Sequence, residues 1–61
     1  MNRIKELRKK AGYSQQELAD VLGVGQTAVS AWEIGGSEPR LSTYYLLSQF
    51  FGCSLDFIMG Y

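Results

Sequence analysis

The sequence predicts an all-α domain of five short helices, and three observations predict it. Apolar residues recur at spacings of three and four. Gly12, Gly23, Gly35 and Gly52 interrupt those runs, at places where a left-handed residue stops a helix. No stretch shows the strict apolar–polar alternation of a half-buried strand. Sixty-one residues hold one domain, 1–61, with only a marginal core.

Each helix has its own signal. Ile4, Leu7 and Ala11 define the first, which ends at Gly12. Ser14 caps the second, Glu17 stands three residues on to complete a capping box, and Tyr13 is placed to staple onto Leu18. Leu18, Ala19 and Leu22 form its buried face, and Gly23 ends it after about two turns. Gly25 is a tolerated N-cap for the third, with Val24 and Val29 at the staple positions. At about 100° per residue, Val29, Trp32 and Glu33 share one side of that helix. Gln26, Thr27, Ser30 and Ala31 share another. The loop Gly35-Gly36-Ser37-Glu38-Pro39 breaks the run. A fourth helix covers roughly Leu41 to Phe51, and a short fifth begins behind the Ser54 cap.

Composition narrows the function. With no His, one Cys and scattered carboxylates, the chain offers neither metal-ligand spacing nor a nucleophile–base pair, so it reads as no enzyme and needs no cofactor. A lone Cys53 cannot form an internal disulfide and suits a reducing cytoplasm. No apolar run reaches the roughly 20 residues of a membrane span, and no small-molecule ligand is expected within the domain. The net charge is zero but unevenly spread. Arg3, Lys5, Arg8, Lys9 and Lys10 face only Glu6 in the first ten residues, a local basic footprint.

Two helices joined across Gly23-Val24-Gly25 make a specific arrangement. Small Ala19 lets the helices cross closely, and Val29 with Trp32 anchors the second to the core. The outer face of that second helix is left free to enter a groove wide enough for an α-helix, such as the major groove of B-DNA. Over nearly its whole length the sequence resembles the lambda-repressor-like helix-turn-helix family, the Cro and XRE-type transcriptional regulators. The residues carrying the resemblance are RIKELRKKAGYSQQELADVLGV, then TAVSAWE followed by Gly35, then Pro39 and Leu41, and finally GCSLDFIMG.

The resemblance implies sequence-specific binding of double-stranded DNA, with helices two and three as the helix-turn-helix and residues 26–33 in the major groove. It places Gln26 as the leading base reader, and a glutamine amide can pair with adenine N6 and N7. Thr27 and Ser30 stand on the same face for base edges or backbone. Gln15 is placed on a phosphate at the head of helix two, where free N–H groups favour an anion. Arg8, Lys9 and Arg40 are the basic candidates for further phosphate contacts. The family also implies an ion pair between Arg8 and Glu33, and a carboxylate on the core side needs such a partner.

Departures from the family pattern carry their own expectations. Ala31, Gly36 and Glu38 stand where Lys or Arg often meets phosphate, so the salt dependence of binding should be shallow, and Glu38 would repel a backbone it faced. Leu46, Phe50 and Phe57, with Tyr45 and Tyr61 near, are apolar where the family is polar or small, which suggests a homodimer interface on helices four and five. A dimer would place two reading helices about 34 Å apart on a palindromic operator. The competing expectation is a protein-interaction module of the same fold, serving an antitoxin or antirepressor partner with little or no DNA binding.

Overall fold

The computed structural model describes residues 2–61, and its helices fall where caps and glycines put them. They are α1 (Ile4–Ala11), α2 (Gln15–Leu22), α3 (Gln26–Ile34), α4 (Leu41–Phe51) and α5 (Leu55–Met59). The capping box at α2 is complete. Ser14 Oγ accepts from the Glu17 N–H at 3.0 Å, and Glu17 Oε1 accepts from the Ser14 N–H at 2.8 Å. Ser54 Oγ likewise accepts from the Phe57 N–H at the head of α5. Each such cap stabilises its helix by about 1 kcal/mol, which matters for segments too short to stand alone.

The turn between α2 and α3 is fixed by Gly23, at φ 73°. The Gly23 N–H donates to Asp20 O and the Val24 N–H to Ala19 O, the paired closure that stops a helix and reverses the chain. Val24 then packs on the core and Ala19 is fully buried. The small residue at 19 and the left-handed one at 23 therefore act together in bringing α3 across α2.

The centre of the molecule takes one large side chain from every helix. Ile4, Leu18, Val29, Leu47 and Ile58 are all fully buried, with Ala19, Trp32 and Tyr44 beside them. Burying each aliphatic side chain contributes roughly 1.5–3 kcal/mol, so no helix can be removed without opening the same core. Cys53 is half-buried against this cluster as an unpaired thiol.

Polar ties close the remaining seams. The Asn2 side chain accepts from the Ile4 N–H and donates to Trp32 O, joining the start of α1 to α3. The Arg3 N–H donates to Ile58 O at 2.9 Å, and its guanidinium lies 4.3 Å from the centre of the Phe57 ring. Tyr13 meets Phe50 edge-on at 5.2 Å, so the residue expected to staple α2 reaches α4. Tyr44 Oη donates to Glu38 Oε1 at 3.0 Å. That bond ties the Glu38 carboxylate to α4 and anchors the loop after α3, while the residue itself stays exposed.

Candidate nucleic-acid interface

The head of α3 carries the candidate reading surface. Gln26 and Thr27 are exposed, and Ser30, one turn further, is half-buried. The opposite side of the helix is committed to the core through Val29 and Trp32. The helical period thus separates an anchoring side from a presenting side within nine residues.

Behind that surface runs a continuous polar chain. Arg8 Nε donates to Glu33 Oε2 at 2.6 Å, and Arg8 Nη2 to Glu33 Oε1 at 3.1 Å. Glu33 Oε1 also accepts from Gln15 Nε2 at 3.0 Å. Gln15 Oε1 in turn accepts from Gln26 Nε2 at 2.6 Å. Four residues from α1, α2 and α3 are linked, from the buried Arg8 to the exposed Gln26.

Electrostatics make the inner half of this chain rigid. The Arg8 and Glu33 side chains are only 9% and 2% exposed, so each needs the other. Burial pushes the Glu33 carboxyl up. Hydrogen bonds from Arg8 and Gln15, with the positive charges of Arg8 and Lys5, outweigh it and hold the carboxyl below its ordinary 4.5. The hydrogen bond to Glu33 likewise raises the Arg8 guanidinium further above its usual range, against the desolvation that lowers it. A third Arg8 donor, Nη1, reaches Tyr13 O at 2.8 Å. The side chain expected to meet phosphate is therefore largely occupied inside the domain.

A family model described as helix-turn-helix matches residues 4–58. The chain belongs to the helix-turn-helix family. It is similar to the SPbeta prophage-derived HTH-type transcriptional regulator YonR of Bacillus subtilis, 44% identical over 57 residues that cover 93% of this chain and 53% of that protein. The HTH-type transcriptional regulator ImmR of the same organism is 38% identical over 58 residues, 95% of this chain and 46% of that protein. The cryptic phage CTXphi transcriptional repressor RstR of Vibrio cholerae is 35% identical over 51 residues, 84% of this chain and 46% of that protein. The chain spans about half the length of the curated relatives it matches.

Within this helix-turn-helix domain the other expected contact residues are scattered. Lys9 is exposed on α1 and shares a cleft with Glu33 and Trp32. Arg40 is exposed at the N-cap of α4, and its side chain makes no hydrogen bond or ion pair among the described residues. Of the apolar residues on α4 and α5, Leu46 is 53% and Tyr61 85% exposed, with Tyr45 between them in exposure. Phe50 and Phe57 are each 39% exposed, because Tyr13 and Phe51 flank the first and Arg3 covers the second. No group of His, Cys, Asp and Glu among the described residues could hold a metal ion. No described helix is long and apolar enough to cross a membrane.

Sequence reasoning placed Arg8 with Glu33, and Gln15 and Gln26 each on DNA, but missed the bonds that join them. The available signal was a core-side carboxylate at position 33 that two polar side chains, Arg8 and Gln15, could reach.

Proposed function

We propose that this chain is the DNA-binding unit of a prokaryotic or phage transcriptional regulator of repressor type. It works in the cytoplasm, occupies an operator as a homodimer and carries out no chemistry. Residues 26–33 enter the major groove, where Gln26, Thr27 and Ser30 read base edges. Gln15 through its second amide N–H, Lys9 and Arg40 hold the phosphates. Leu46, Phe50, Phe57 and Tyr61 form the two-fold contact, and the operator is palindromic to match.

One observation carries the reading: an exposed Gln26 amide is held from behind by Gln15 at the head of a helix anchored in the core. A side chain ordered in advance loses less entropy on meeting a base than a free one. Family membership and the regulator names of the relatives support the same class.

Selection of bound duplexes from a random pool tests the reading. The expected product is a palindrome with half-sites about one helical turn apart. Failure to enrich any sequence at low salt overturns it.

A further inference from the structure

We propose that Glu33 is a positioning residue that fixes the donor–acceptor order of the reading edge at Gln26, acting through Gln15 without touching DNA. This rests on the DNA-binding reading above and names what sets its base preference.

A carboxamide has nearly the same shape when its oxygen and nitrogen exchange places, so an isolated glutamine presents either order. Here the order is not free. An ionised carboxylate only accepts hydrogen bonds. The group of Gln15 that meets Glu33 Oε1 at 3.0 Å must therefore be its NH2. Its oxygen is then left facing Gln26, and the group of Gln26 at 2.6 Å must again be NH2. Reversing either amide alone would set two oxygens, or two donors, against each other. The polarity of one buried oxygen is thus transmitted through two neutral side chains to the surface.

Arg8 supports this by keeping Glu33 ionised. Two guanidinium donors occupy the carboxylate, and its protonation is shifted away from neutral pH. Glu33 consequently never becomes a donor under ordinary conditions, and the relay has a single setting. Gln26 keeps one carbonyl oxygen and one N–H in fixed places for the groove. One order matches adenine, which offers a donor at N6 and an acceptor at N7, and the reverse order sets donor against donor and acceptor against acceptor there; guanine, with acceptors at both O6 and N7, takes one bond in either order.

The test compares base preferences, not affinity alone. Binding-site selection is run on the full chain and on Glu33→Gln, which replaces the acceptor-only group with one that accepts either order. Because Glu33→Gln leaves Arg8 unpaired, the neutral double variant Arg8→Met with Glu33→Gln is run beside it. Arg8→Lys serves as the comparison: it loses the fork but keeps a carboxylate at 33, and its overall binding weakens.

The wild type is expected to prefer adenine at one position of each half-site by about 5- to 150-fold. Both Glu33 variants should lose about tenfold or more of that preference, as adenine binding falls toward that of the other bases, while Arg8→Lys keeps it. An unchanged adenine preference in the Glu33 variants overturns the proposal, as does an equal loss in Arg8→Lys. If the wild type itself selects no sequence, the DNA-binding reading fails instead. Side-chain amide NMR of the free protein addresses the relay independently of DNA. Hydrogen-bonded NH2 signals for Gln15 and Gln26 in one environment each are expected in the wild type, broadening or doubling in the double variant as the two amide orders exchange. Solvent-like signals in the wild type also overturn the proposal.

Discussion

Arg8 grips both carboxylate oxygens of Glu33, through Nε at 2.6 Å and Nη2 at 3.1 Å, and so fastens α1 to the last turns of α3. Both side chains are almost wholly removed from water. Such a pair adds little over well-packed apolar residues, because desolvation offsets its attraction, yet breaking it strands a charge.

Removing one partner should therefore cost far more than removing both. Glu33→Ala is expected to lower stability by about 3–5 kcal/mol, while Arg8→Met with Glu33→Leu should stay within about 1–2 kcal/mol of wild type. Urea denaturation followed by Trp32 fluorescence measures both. Equal losses in the single and double variants would contradict a buried ion pair.

Stability should fall at both ends of the pH scale for different reasons. Glu33 has a folded pKa below its ordinary 4.5, so its contribution is complete above that value and is lost as pH falls through the lower folded one. Tyr44 is raised above its ordinary 10.0, first by burial and then by its bond to Glu38. Its contribution is complete below 10.0 and is lost as pH rises through the folded value. Urea midpoints across pH should trace a plateau between these limits. Glu33→Gln should flatten the acid limb, and Tyr44→Phe the alkaline one.

Gly23→Ala probes the turn alone. A Cβ at position 23 would have nothing within 4 Å, so the cost is conformational, from φ 73°, and not steric crowding by neighbours. The expected loss is roughly 1–2 kcal/mol. Gly23→Asn should lose less, since asparagine adopts left-handed geometry more readily. Thermal unfolding distinguishes the two, and equal losses would point to a contact instead.

The apolar residues of α4 and α5 predict self-association. The wild type should sediment as a dimer at tens of micromolar, and Leu46→Glu, on a side chain already 53% exposed, should give a folded monomer. Affinity for a palindrome should then drop by roughly a hundredfold, as two linked contacts become one. A wild-type monomer at that concentration removes the interface.

Helix positions were legible because local chemistry sets them. Ser14 with Glu17, Gly23, and the spacing of Val29 and Trp32 need no distant partner to be understood. The Arg8–Glu33 pair was legible from family resemblance and from the cost of a lone buried carboxylate. What stayed hidden was side-chain pairing that depends on how the turn and the loop fold. Gln15 and Gln26 meet only once the turn at Gly23 has folded, and Tyr44 meets Glu38 only once the loop has closed. The semi-covered state of Phe50 and Phe57 was hidden for the same reason, since Tyr13 and Arg3 approach from other parts of the chain.

Val29 and Trp32 give α3 a share in the common centre of the molecule. The segment that would meet a partner is consequently not a detachable flap that can melt and re-form by itself. Pulling α3 away would expose that common centre, so a ligand that gains from an orderly α3 should tighten the entire chain, and a lesion in the interior should blur the contact surface.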